Sequence, residues 1–194
     1  MGGGQLARMF AHAAQRMGYF TAVLDPDAGS PAGRVSHHHV QADYVDEIGL
    51  AELSGHSDAI TTEFENVPAQ SLARLAGHRP VAPAAEAVSI AQDRALEKAH
   101  FVRCGVACAP HALIATPGDI DAVPEDLLPG ILKTARLGYD GKGQVRVRSR
   151  DALRAAWETL QRAPCVLEKM LPLAFECSVV VARGRDGAMV HLPV

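Results

Sequence analysis

Behind the run Gly2-Gly3-Gly4, apolar side chains recur at helical spacing at Leu6, Met9, Phe10, Ala13, Ala14 and Met17. The pattern predicts a helix over 5–17, with Gly18 at its C-terminal stop. Phe20–Leu24 is a continuous apolar run closed by Asp25-Pro26-Asp27, and it reads as a buried strand. The alternation continues with a short helix over Asp46–Leu53 and a strand over Ala59–Phe64. A helix over Pro68–Ala76 follows, with proline in its first turn, and Val81-Ala82-Pro83 is a brief strand. A parallel α/β layer of roughly 85 residues is enough for a domain. The strand that ordinarily precedes such a glycine turn is absent, and Met1 stands where it would end, so the pattern predicts trimming at the amino terminus.

From Ala84 the character changes. Two helical stretches adjoin, Ala84–Ala91 and Arg94–Cys104, with Asp93 placed to cap the second. His111–Ala115 reads as a strand and Thr116–Pro129 as a Pro/Gly/Asp-rich segment. Strands are predicted at Ile131–Ala135 and Gln144–Val147, with a glycine loop between them. An amphipathic helix over Asp151–Gln161 and a strand over Cys165–Met170 come next. The end reads as a hairpin: Cys177–Ala182, a turn at Gly184–Gly187, and Ala188–Leu192. A hairpin that opens a sheet and then stops predicts trimming at the carboxyl terminus as well.

Composition narrows the classes. A chain of 194 residues, 48% hydrophobic, buries one generous core or two small ones and is not a disordered polymer. A formal charge of −3 gives no electrostatic footprint for nucleic acid or an anionic membrane. The apolar runs are far too short to span a bilayer and no secretory leader opens the chain, so a soluble, cytoplasmic protein is expected. Cys104, Cys108, Cys165 and Cys177 lack C-x-x-C spacing, which favours reduced, buried, structural thiols. Arginine is the default cation, with only four lysines: Lys98, Lys133, Lys142 and Lys169. Each lysine is therefore a candidate for a specific task.

Local chemistry is suggestive and ambiguous. The segment Leu137-Gly138-Tyr139-Asp140-Gly141-Lys142-Gly143-Gln144 can fold over a phosphate chain, its backbone amides and Lys142 facing the oxygens. It can equally be an Asp-Gly hairpin with a solvated lysine. Lys133, on the incoming strand, could reach the same phosphates. Glu168 beside apolar residues could accept from an adenine amine or ribose hydroxyls, or simply face solvent, and Glu176 shares that ambiguity.

Taken in register, the motifs resemble a family. Gln92-Asp93-Arg94, Ile131-Leu132-Lys133-Thr134, the glycine loop and Leu167-Glu168 follow the order of the ATP-grasp fold. Gly2-Gly3-Gly4-Gln5-Leu6, Leu24-Asp25-Pro26, Glu63-Phe64-Glu65-Asn66-Val67-Pro68 and the 138–144 loop resemble the N5-carboxyaminoimidazole ribonucleotide synthase family within it. The resemblance implies an α/β architecture. A pre-ATP-grasp domain would span 1–88 and the start of an ATP-grasp domain 89–117. A small α+β lid would cover 118–172, and the first hairpin of a truncated subdomain 173–194.

It also implies ATP-dependent carboxylation of aminoimidazole ribonucleotide with bicarbonate, by a cytoplasmic homodimer that binds neither nucleic acid nor membrane. By that analogy Arg94 and Lys133 hold ATP phosphates and Gly138, Tyr139, Asp140, Gly141, Lys142, Gly143 and Gln144 form the lid loop. Glu168, Lys169, Met170 and Leu171 line the adenine and ribose pocket, with Glu176 at a ribose hydroxyl. Tyr139, Asp140 and Lys142 face the reacting centre. Gly4, Gln5 and Leu6 take the ribonucleotide phosphate at a helix N-terminus, and Glu65 and Asn66 lie near that ribonucleotide. Magnesium ligands are expected beyond Val194, so the chain alone is not expected to complete the reaction.

His37-His38-His39 invites a metal reading, yet along a strand the middle side chain points away from its neighbours and no further ligand cluster is visible. Three alternatives remain. Gly2-Gly3-Gly4-Gln5-Leu6-Ala7 with Asp25 about 20 residues on also fits a nicotinamide oxidoreductase, although Asp25 reads more simply as a turn residue. Another ATP-grasp enzyme, such as a formate-using transformylase or a biotin carboxylase, shares the lid and nucleotide residues. A module that binds nucleotide without turnover is the third.

Overall fold

The computed structural model describes residues 1–138 and 143–193. Helix α1 (Gln5–Arg16) forms where the spacing predicts it. Leu6, Met9, Phe10 and Met17 are more than half exposed, whereas Ala7 and Ala11 are buried, Ala7 against Val23 and Ala32. The helix approaches the sheet through its alanines, whose small side chains permit close backbone approach, and the larger residues turn outward.

Strand β1 (Ala22–Leu24) pairs in parallel with β2 (His38–Val40). The strand expected over 20–24 starts later, since Phe20 is 83% exposed. The strand expected over Ala59–Phe64 reduces to one parallel bridge, Ile60 to Val81. Beyond Ile60, Glu63 N–H donates to the Met1 carbonyl, Gly2 N–H donates to the Leu24 carbonyl, and the backbone turns between Phe64 and Val67. Helix α2 (Glu47–Gly55) starts at Asp46, whose carboxylate accepts from Gly49 N–H at 2.7 Å. With α3 (Ala69–Ala76) it closes a first core around Leu24, Val40, Leu53, Val67 and Leu72.

Helices α4 (Ala85–Ala91) and α5 (Arg94–Arg103) lead out of this unit. Asp93 caps α5 by accepting from Ala95 and Leu96 N–H, as the sequence predicts. The second unit is an antiparallel sheet ordered β3 (His111–Ile114), β6 (Cys165–Lys169), β4 (Gly130–Thr134), β5 (Gln144–Val147). Because β3 pairs with β6, this sheet begins at His111, ahead of the expected lid boundary at 118. The Pro/Gly/Asp-rich segment holds more order than expected. It contains α6 (Pro117–Asp121), fixed by a reciprocal capping box between Thr116 and Asp119, and a 3-10 turn at Glu125–Leu127.

Helix α7 (Arg150–Thr159) lays Leu153 and Trp157 over Leu132, Val147 and Leu167 to form the second core. Trp157 Nε1–H donates to the Ala163 carbonyl at 2.9 Å. The terminal hairpin is present but shorter than expected, as β7 (Val181–Arg183) and β8 (Met189–His191), and both strands are exposed.

Cysteine burial departs from expectation. Cys104 and Cys177 are exposed and Cys108 is half-buried, and only Cys165 lies in a core; all four are free thiols. Cys104 falls at the end of α5, which buries none of its residues fully. Burial pushes the Cys165 thiol up to about 11. No helix among the described residues is long and apolar enough to cross a membrane.

Candidate functional site

Strand register creates the first cluster. In the β4–β6 ladder Ile131 faces Glu168 and Lys133 faces Val166, so Lys133 and Glu168 are diagonal neighbours on one face. The opposite face carries Leu132 and Leu167 into the core. Lys133 Nζ donates to Glu168 Oε2 at 2.7 Å, and Lys98 Nζ, from α5, reaches Glu168 Oε1 at 2.9 Å. The three side chains are only 12–21% exposed. Burial alone would push the Glu168 carboxyl up. The hydrogen bonds and charges of Lys133 and Lys98 outweigh that and hold it below the usual range. The cluster is a carboxylate clamped by two ammonium groups, with one positive charge in excess.

The residues joining the two units build the second element. Arg94 N–H donates to the Ala135 carbonyl at 2.9 Å and its guanidinium to the Gly138 carbonyl at 3.1 Å, so α5 is fastened to the entry of the glycine loop. Gln92 is buried; its side-chain amide donates to the carbonyls of Glu65 at 2.5 Å and Val67 at 2.6 Å, and its Oε1 accepts from Arg136 at 3.4 Å. A cleft of about 130 Å³ results, lined by Glu65, Asn66, Gln92, Arg94, Glu97 and Gly138 among others. Four residues expected on opposite sides of a reaction, Glu65 and Asn66 with Arg94 and Gly138, thus share one wall-to-wall space.

At the glycine turn a carboxylate already sits beside the helix N-terminus: Gly4 N–H donates to Glu63 Oε1 at 3.2 Å. Gln5 and Leu6 are exposed in the first turn of α1. Gly3 has no room for a side chain, since a Cβ would lie 2.7 Å from Asp25 Cγ and 2.8 Å from Ser30 Cβ. Asp25 is buried and engaged. It accepts from the Tyr44 hydroxyl at 2.6 Å and from Asp27 N–H at 2.9 Å. Burial, and then the Asp25 bond, push the Tyr44 phenol above its ordinary value. An acid so occupied is not placed to read ribose hydroxyls, which argues against the dinucleotide reading.

The three histidines diverge. His37 Nδ1 lies 3.1 Å from Thr21 N and His39 Nε2 lies 3.1 Å from the Asp25 carbonyl oxygen. His38 stacks on His56 with ring centroids 4.1 Å apart.

Tyr139, Asp140, Gly141 and Lys142 lie outside the described residues. Gly143 and Gln144 re-enter at β5, where the Gly143 carbonyl accepts from Thr134 N–H at 2.8 Å. Lys169 alternates to the face opposite Glu168 and pairs with Asp126 at 3.7 Å. Met170 and Leu171 are 40% and 42% exposed, an apolar edge following Glu168. Glu176 is exposed in the irregular segment before β7.

Three residues that structure brings into this site had no assigned role in the sequence reading: Lys98, Gln92 and Glu63. The scarcity of lysine pointed toward Lys98, and Gln92 adjoins the Asp93 cap; nothing local distinguished Glu63 from its neighbours.

Comparison with known proteins defines the class. Residues 1–92 match the model of the ribonucleotide synthetase preATP-grasp domain and residues 99–194 match that of the ATP-grasp domain. The chain is thus an ATP-grasp protein with its preceding domain. It belongs to the N5-carboxyaminoimidazole ribonucleotide synthase family. It is 45% identical over 190 residues to the synthase of that name from Brucella melitensis, covering 96% of this chain and 52% of that protein.

The Staphylococcus aureus synthetase complexed with ADP superposes with a TM-score of 0.93 at 38% identity, over 99% of this chain and 52% of that one. The Aspergillus clavatus synthase in complex with ADP and 5-aminoimidazole ribonucleotide gives 0.86 at 28% identity, over 98% and 50%. The chain spans about half the length of the curated relatives it matches.

Proposed function

We propose that this chain is the nucleotide- and ribonucleotide-handling part of an ATP-dependent ligase that carboxylates 5-aminoimidazole ribonucleotide. The observation that carries the reading is the shared cleft, in which Glu65 and Asn66 meet Arg94 and Gly138. The relatives whose names include ADP and aminoimidazole ribonucleotide support it.

In this reading a bicarbonate oxygen attacks the γ-phosphorus of ATP, ADP leaves, and the substrate amine then takes the carboxyl carbon of carboxyphosphate as phosphate departs. Two anions must meet, so cations have to offset their repulsion and water must be excluded. Lys133 and Arg94 would supply that charge, with Glu168–Leu171 along the adenine and ribose and Glu176 at a ribose hydroxyl. Tyr139, Asp140 and Lys142, with Gly141, Gly143 and Gln144, would close over the centre. Gly4–Leu6 would receive the ribonucleotide phosphate once Glu63 yields its place. Residues 1–88 would act as the substrate-side domain and 118–172, with the edge strand β3, as the lid.

Magnesium would, when bound, draw the phosphate oxygens together and neutralise them. The described residues do not fit it: none form a group of three or more metal-capable side chains, and Glu168 is taken by its lysines. The reading also carries a homodimer and a cytoplasmic location.

The test is ADP release by a chimera of residues 1–194 with the carboxyl-terminal half of the Brucella relative. Release should require bicarbonate and rise with aminoimidazole ribonucleotide. Dependence on formate instead would overturn the assignment.

A further inference from the structure

Charge in the Lys98–Glu168–Lys133 cluster is unevenly held. Each carboxylate oxygen takes one lysine, Oε1 from Lys98 and Oε2 from Lys133, so either bond can break without disturbing the other. Lys98 is the more enclosed of the two, 12% exposed against 21% for Lys133. It also projects from a helix anchored by the Asp93 cap and by Arg94 against Ala135 and Gly138. Lys133 stands on a strand whose next residue, Thr134, bonds the Gly143 carbonyl at the end of the glycine loop.

We infer that Lys98 is a positioning residue for the triphosphate: it holds the charge of Glu168 so that Lys133 can transfer its ammonium to phosphate oxygens. The inference rests on the nucleotide reading above. Without Lys98, a departing Lys133 would leave a mostly buried carboxylate unpaired beside a polyanion, and both the stranded charge and the like-charge repulsion oppose binding. With Lys98 in place the carboxylate keeps one partner throughout. A residue that merely docks α5 on β6 would have no preference among nucleotides by phosphate number.

The experiment is equilibrium titration of the 194-residue protein with ATP and with AMP, for wild type, Lys98→Gln and Lys98→Arg. Lys98→Gln should weaken ATP by about ten-fold or more and AMP by less than about two-fold, and Lys98→Arg should recover most of the ATP loss. Equal losses for ATP and AMP, or no loss, would overturn the inference in favour of simple docking. Should Lys98→Gln not fold, the substitution is made in Glu168→Gln, where no carboxylate needs a partner. ATP affinity should then match that of Glu168→Gln alone, and a further loss would mean that Lys98 contacts phosphate itself. Wild-type protein that binds neither nucleotide would overturn the nucleotide reading, a result separate from any pattern among the variants.

Discussion

Gln92→Leu removes the tie between the two units at nearly constant volume. The wild-type amide donates at 2.5 Å to Glu65 and at 2.6 Å to Val67, and its residue is only 9% exposed. Each such bond contributes about 0.5–1.5 kcal/mol net, and a buried carbonyl left without a donor costs about 1–3 kcal/mol. Water can replace the donor at exposed Glu65 but not at Val67, which is fully buried. The expected cost is therefore about 2–3 kcal/mol, felt first in the Phe64–Val67 turn and the start of α3.

Hydrogen exchange followed by mass spectrometry reads this directly. Protection of peptides within 60–76 should fall by about 30- to 150-fold, while peptides within 150–160 keep theirs. Unchanged protection in 60–76, or an equal fall in both regions, would refute the claim that Gln92 fixes the Glu65–Asn66 loop.

Gly3→Ala should destabilise by about 1–3 kcal/mol through overpacking on Asp25 and Ser30, seen as a lowered urea midpoint; a neutral result would mean the turn opens freely. Trp157→Ala should cost about 3–5 kcal/mol in the sheet unit, through cavity formation and the lost bond to Ala163, and a circular dichroism melt within about 1 kcal/mol of wild type would contradict it. Glu168 has a depressed carboxyl, so its stabilising effect is present above the ordinary glutamate value of about 4.3 and is lost as pH falls through the folded value. The stability difference between wild type and Glu168→Gln should accordingly shrink on acidification below that value, and a constant difference would sink the ion-pair account.

Elements whose signals are local were legible in the sequence. Gln144–Val147 is a strand with the bounds its alternation predicts, and the Asp93 cap starts α5 where an Asp before an apolar-periodic run should. The Thr116–Asp119 capping box was equally local but lay within a Pro/Gly-rich stretch, whose composition masked a one-turn helix. Orientation was not legible. Helical spacing places Leu6, Met9 and Phe10 near one face without saying whether that face or the alanine face meets the sheet, and here the alanines do.

The candidate site shows the same divide. Lys133 and Glu168 could be nominated from their strands, but their pairing depends on a β4–β6 register that joins residues 35 apart. Lys98 enters only through the packing of α5 across that face. The Glu63 carboxylate reaches Gly4 across 59 residues, a contact no spacing rule encodes.

Photolabelling with 8-azido-ATP tests the central claim, that the nucleotide lies against β4 and β6, most directly. After irradiation and proteolysis the label should map to the peptide containing Glu168–Leu171, and excess ATP should abolish it while NAD should not. Label on the peptide containing Asp25, displaced by NAD in preference to ATP, would contradict the account.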